Sequence, residues 1–125
     1  MKAPDLSGKT ILIAEDNLIN REVVRSMLEA TNANLYFAED GKMALKLYAE
    51  VRPDIILMDI QMPVMDGKEA YLKIRATNKS VPIIALTANV MLQDLKEYKA
   101  IGFDGHLAKP IDMQGLYNCV SKYDF

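Results

Sequence analysis

The sequence has one cysteine, one histidine and five prolines, and no apolar run approaching the roughly 20 residues that a membrane-spanning helix requires. A lone cysteine, Cys119, cannot close an internal disulfide, and with only His106 beside it there is no Cys/His spacing of the zinc-holding kind. A reducing, cytoplasmic setting is expected, without membrane insertion by this segment. Pro4, Asp5, Ser7 and Gly8 interrupt the start where a secretory leader would need a continuous apolar stretch. Neither sign of charge dominates: 15 basic and 17 acidic residues are well mixed and leave a net charge of -2. That balance offers no basic field for nucleic acid and no charged disordered tail. Internal repeats and low-complexity segments are absent, and neither a G-x-G-x-x-G nor a G-x-x-x-x-G-K-[ST] run follows the first apolar stretch, which removes the usual nucleotide cradles.

What is there suits one domain: 125 residues, half of them hydrophobic, can bury a single core. Residues 1–9 look like a linker or tail, and residues 10–125 like the domain. Short apolar runs rich in β-branched residues, "TILIA" at 10–14, "NLYFA" at 34–38, "IILM" at 55–58 and "IIALT" at 83–87, read as strands covered on both faces; "GHLA" at 105–108 is a weaker fifth. Between them lie helical stripes. Val24, Met27, Leu28 and Thr31 form one, Ala44, Leu47, Tyr48 and Val51 a second before Pro53, and Met91, Leu95 and Tyr98 a third before Gly102. Met113, Leu116, Tyr117 and Val120 form the last. Asn17, Asp40, Asp66 and Asp112 stand at N-cap positions. The Asp-Gly pairs at 40–41 and 66–67 could instead turn hairpins, but helical periods follow both. Strand and helix in alternation predict βαβ units, a parallel sheet with helices on both faces, and a ligand site at the carboxyl ends of the strands.

The residues after each apolar run then become informative. The first run is followed by Glu15-Asp16, the third by Asp59, and the fifth by Lys109-Pro110, while the fourth ends on Thr87 with Ala88 and Asn89 after it. Glu39-Asp40, after the second, is assigned to helix capping. Like charges about 4 Å apart cost roughly 4 kcal/mol at an effective dielectric near 20, which rivals the stability of a whole domain. Three carboxylates less one lysine leave a local charge of -2, which a divalent cation would neutralise; an oxygen-only donor set favours Mg²⁺ or Mn²⁺ over zinc. Solvated loop-end charges, with Lys109 pairing whichever is nearest, are the plainer alternative. A carboxylate can attack phosphorus to give an acyl phosphate, and phosphoryl transfer needs mainly positioning and charge neutralisation. Asp59, standing alone at a central strand's end, is the candidate nucleophile. Glu15 and Asp16 read as a metal pair, Lys109 as the cation for phosphate oxygen and Thr87 as a hydrogen-bond donor to it.

"ILIAEDNLINREVV", "DIILMDIQMPVMDG", "PIIALTA" and "GFDGHLAKPID" resemble, in order and spacing, the motifs of the receiver domain of two-component response regulators, over essentially the chain from Lys9 onward. Their wording is most similar to receivers of hybrid sensor histidine kinases. The resemblance implies a flavodoxin-like (βα)5 sheet in strand order 2-1-3-4-5. It implies phosphoryl acceptance on Asp59 from a histidine kinase or histidine phosphotransfer domain, with Mg²⁺ on Asp16, Asp59 and the backbone carbonyl of Gln61, and Mn²⁺ able to substitute. Glu15 would assist through water. Thr87 and the Ala88 amide would hold the phosphate, Lys109 would pair with it, and Lys109-Pro110 would be cis. Such a module is regulatory rather than a turnover enzyme, although it assists its own phosphorylation and dephosphorylation. It would not bind nucleic acid directly, and would alter binding or oligomerise through the face of the fourth helix, fifth strand and last helix.

Two positions depart from the family pattern. The switch aromatic three residues before the lysine is here His106, which reads more plainly as an exposed histidine than as a pH sensor; Gln61 and Asn89 occupy the variable positions that tune acyl-phosphate lifetime. Met27, Met43, Met58 and Met91 fall at apolar-periodic positions and are expected in the core. Cys119 is expected to pack, and the basic run "KEAYLKIRATNKS" to be a solvated helix face. Two other functions compete: a phosphatase like the haloacid dehalogenases, whose D-x-D acid would fall at Gln61, and a pseudo-receiver binding partners without phosphate. The last helix is expected to end near Lys122. The motif wording and linker-like start favour a piece of a longer kinase, such as a membrane-bound sensor kinase, over a stand-alone receiver.

Overall fold

The structure is a computed structural model that describes residues 2–88 and 91–123. Its elements alternate: β1 (Thr10–Ala14), α1 (Leu18–Glu29), β2 (Asn34–Ala38), α2 (Gly41–Val51), β3 (Ile55–Asp59), α3 (Gly67–Arg75), β4 (Ile83–Thr87), α4 (Leu92–Ile101), β5 (Gly105–Ala108) and α5 (Met113–Lys122). All five strands run parallel in the order β2-β1-β3-β4-β5, the doubly wound arrangement expected. The third strand extends one residue past the apolar run: Asp59 is itself in β3, in register with Leu86.

Because side chains alternate across a strand, neighbouring residues feed opposite faces. Leu12, Ile56, Met58 and Ile83 pack with Ala44, Ala70, Ile74 and Tyr98 from α2, α3 and α4. Ile11, Ile13, Leu57 and Leu86 pack with Val24 and Leu28 of α1 and with Leu116 and Val120 of α5. All five residues of β3 and of β4 are buried. Continuous apolar runs therefore mark the central strands, as expected where both faces are covered.

Asn17, Asp40, Asp66 and Asp112 each accept from the backbone N–H three residues on, so both Asp-Gly pairs start helices and neither turns a hairpin. At α4 the expected stripe starts too early. Met91 is the N-cap, makes no side-chain cap bond and is 64% exposed. Met43 is also exposed, on the outer side of the first turn of α2, so of the four methionines expected in the core only Met58 is fully buried, with Met27 packed at its margin. Period alone does not distinguish a stripe's end from its middle. Thr31 lies beyond α1, buried, its hydroxyl donating to Leu28 O at 2.6 Å.

The basic run after Gly67 is not uniformly solvated either. Arg75 donates to the carbonyls of Val81 at 2.6 Å and Asn78 at 3.2 Å, and its guanidinium lies 2.7 Å from Asp104. It thereby ties the end of α3 to the segments entering β4 and β5. Leu6, in the segment read as linker, donates its N–H to Thr31 O at 2.7 Å and packs at the core's edge. No helix among the described residues is long and apolar enough to cross a membrane.

Candidate phosphoacceptor site

The five residues singled out after the apolar runs collect at one edge of the sheet. Lys109, one residue beyond β5, places its Nζ 2.8 Å from Asp59 Oδ2 and 2.8 Å from Glu15 Oε1. Glu15 and Asp59 are 1% and 3% exposed, so both carboxylates have left water and share one cation. Glu15 also accepts from Asn17 N at 3.2 Å, and Asp59 Oδ1 accepts from Gln61 N at 3.2 Å. Arg21 fixes the turn between β1 and α1 by donating to Glu15 O at 2.8 Å.

Strand and helix ends make this convergence possible. A Cβ at Gly67 would lie 2.0 Å from Asp59 O, so only glycine lets the start of α3 close against the end of β3. The Lys109-Pro110 bond is cis, as expected, at the turn that directs Lys109 inward.

The electrostatics follow from crowding. Burial, and then the hydrogen bond and charge of Glu15, push the Asp59 carboxyl up to about 7 against the pull of Lys109. For Glu15 burial also acts upward, but its bonds with Asp59, Lys109 and Asn17 N outweigh it and bring the group down to about 2. As pH falls, Asp59 is therefore the member of the pair that takes up a proton first. Burial lowers the Lys109 pKa, but its two carboxylate partners more than restore it, so the ammonium stays charged.

Exposed Asp16 completes the acidic group: carboxylate oxygens of Glu15, Asp16 and Asp59 lie within 4.8 Å of one another. Three hard oxygen donors, two of them buried, form a set that fits a divalent cation such as Mg²⁺ and lacks the nitrogen and sulfur donors zinc prefers.

Comparison with known proteins decides the family. Residues 11–121 match the family model described as the response regulator receiver domain. The chain belongs to that family. As a receiver it is 37% identical, over 89% of its length, to hybrid signal transduction histidine kinase I of Dictyostelium discoideum, and it spans 7% of the length of that kinase. The receiver domain of sensor histidine kinase PA1611 from Pseudomonas aeruginosa PAO1, solved with magnesium in its active-site cleft, superposes with a TM-score of 0.85 at 36% identity, covering 94% of this chain and 98% of that one. The Saccharomyces cerevisiae receiver of Ssk1, solved with the histidine phosphotransfer protein Ypd1, superposes at 0.83 with 28% identity, covering 98% of this chain and 95% of that one.

The remaining expected site residues are distributed less simply. Thr87 ends β4 between Asp59 and Lys109, and its carbonyl accepts from Lys109 N at 2.9 Å. Its hydroxyl lies 3.1 Å from the hydroxyl of Tyr98 on α4. Tyr98 was legible only as a core position; a buried tyrosine needs a polar partner for its hydroxyl, but sequence does not reveal which. Ala88 is exposed just beyond β4, and Gln61 is exposed beside Asp59. His106 is exposed on β5. Asn89 lies outside the described residues. Cys119 sits half-buried on α5, and burial pushes its thiol up to about 11, the state of a packing cysteine rather than a reactive one.

Proposed function

We propose that Asp59 accepts a phosphoryl group from a phosphohistidine on a partner kinase or phosphotransfer domain. The observation that carries this reading is the shared hold of Lys109 on Asp59 and Glu15, 2.8 Å to each, beside Asp16. An Asp59 carboxylate oxygen attacks phosphorus as the P–N bond breaks, and the leaving imidazole keeps the bonding pair. Lys109 then pairs with a phosphoryl oxygen, while the Thr87 hydroxyl and the Ala88 N–H donate to others. When bound by Asp16, Asp59 and the Gln61 carbonyl, with Glu15 acting through water, Mg²⁺ neutralises charge on the carboxylates and phosphoryl oxygens, and Mn²⁺ would do the same. Gln61 and Asn89 set access of water to the acyl phosphate, and His106 stands on the output face.

Exposed Leu18 and Ile19 open α1 directly beyond Asp16, an apolar shoulder suited to a helical partner docking over the site. The low share of the kinase relative's length supports a place as the receiver module within a larger, cytoplasmic-side signalling chain. The test is incubation with Mg²⁺ and acetyl phosphate, and separately with beryllofluoride. An acid-stable, hydroxylamine-labile label and a beryllofluoride-dependent spectral change are expected, both lost in Asp59→Asn. A protein that stays unlabelled and spectrally silent would remove the proposal.

A further inference from the structure

Thr87 and Tyr98 are 2% and 4% exposed, and their hydroxyls face each other at 3.1 Å. A hydroxyl has one proton and two lone pairs, so it can donate to one partner while accepting from another. A phosphoryl oxygen only accepts, so Thr87 can serve it only by donating. A phenol is a stronger acid than an aliphatic alcohol, so Tyr98 is suited to be the donor within the pair, with Thr87 Oγ1 accepting from it and donating to a phosphoryl oxygen once one is bound.

Tyr98 is also held firmly enough to act this way. Its carbonyl accepts from both Gly102 N at 3.2 Å and Phe103 N at 3.1 Å, the closure that ends α4, where Gly102 takes φ 122°. Its ring meets Phe103 edge-on at 6.4 Å between centroids, and Lys68 Nζ lies 6.0 Å from the ring centre while pairing with Glu97 on the same helix. His106, at the position expected for an aromatic, is exposed on β5.

We propose that Tyr98 is a positioning residue for the phosphoryl chemistry. It donates to Thr87 Oγ1, holds that side chain in one rotamer and polarises its hydroxyl toward the phosphoryl oxygens, and so makes α4 part of the phosphate-binding apparatus. Hydrogen-bonded hydroxyls in a low-dielectric interior strengthen one another, which gives the relay its direction.

The inference rests on the proposed role of Asp59, and the experiment separates the two. Beryllofluoride and Mg²⁺ affinities are measured on the full chain for the unaltered protein, Tyr98→Phe, Thr87→Ala and the double variant. Tyr98→Phe is expected to weaken beryllofluoride binding about two- to tenfold, the worth of one hydrogen bond, while leaving affinity for Mg²⁺ alone unchanged. General damage to the fold would weaken both. In the Thr87→Ala background the same change is expected to have no further effect, since its target is gone. Equal or tighter beryllofluoride binding by Tyr98→Phe, or the same loss with Thr87 absent, overturns the proposal. An unaltered protein that binds no beryllofluoride overturns it together with the Asp59 reading.

Discussion

Lys109 and Asp59 lie 50 residues apart in the chain, and their side chains meet at 2.8 Å across the end of β4. The lysine follows β5, the aspartate ends β3, and Thr87 stands on the strand between them. The contact therefore spans three strand ends, and its loss should be felt at all of them.

Lys109→Met leaves two buried carboxylates without their cation. Breaking a buried pair by removing one partner costs about 3–5 kcal/mol, here reduced by proton uptake on the pair. Thermal denaturation in EDTA should show a large fall in midpoint that saturating Mg²⁺ partly restores; an equal fall in both conditions would contradict a charge-based origin.

The pH dependence has a defined sign. The Asp59 carboxyl is raised to about 7, so the metal-free fold gains from its proton in full below the usual carboxylate range and loses that gain as pH rises through about 7. Glu15, lowered to about 2, contributes above its ordinary 4.5 and loses its contribution only as pH falls toward 2. Metal-free stability should therefore decline from about pH 4.5 to about pH 7. Mg²⁺ affinity should rise over the same window as the proton is displaced. Calorimetry in buffers of different ionisation enthalpy would detect proton release near pH 6, and a pH-independent affinity would count against the assignment.

Asp59→Asn removes one charge from the crowded pair. The variant should lose the acid-stable label yet be more stable than the parent in EDTA at pH 8, because like-charge repulsion with Glu15 is relieved. If partner binding and signalling persist unchanged in this variant, the domain works as an interaction module without phosphate.

Arg75→Met should destabilise by about 2–4 kcal/mol, since the Val81 carbonyl and the Asp104 carboxylate lose a partly buried partner. Beryllofluoride binding in the folded fraction should be retained, as Arg75 touches none of the site residues. Chemical denaturation and titration on the same sample would test both halves.

Val64 holds φ 68° while 76% exposed, an expensive conformation for a β-branched residue. Val64→Asn, which tolerates that region, should raise stability by about 1 kcal/mol. An unchanged denaturation midpoint would show that the loop relaxes at no cost.

The central strands were legible because their runs carry the pattern forced by burial on both faces, whereas the edge strands β2 and β5 alternate, so "NLYFA" is not covered on both faces as expected and Tyr36 is exposed. The site was legible because Glu15, Asp59 and Lys109 follow apolar runs and Thr87 ends one. Lys109 and Asp59 could be paired from sequence only through that topology. The pairing of Thr87 with Tyr98 could not, because a tyrosine in an apolar stripe looks the same whether its hydroxyl meets water, a carbonyl or a threonine. Met43 and Met91 misled for a related reason: methionine suits a core margin and an exposed cap equally, and only the helix's start and rotation decide between them. Arg75 looked like surface charge because two of its acceptors are loop carbonyls, which carry no side-chain signature, and another, Asp104, lies 29 residues away.

Every residue of β3 is buried, with adjacent side chains keyed into separate cores on either face of the sheet. Asp59 is thus mounted on a strand gripped from both sides. A doubly charged group added there cannot be absorbed by the strand giving way, since any displacement would unpack both cores together. The load passes instead to what borders it: the turn between β3 and α3, which Gly67 closes against Asp59, and the Lys109 side chain.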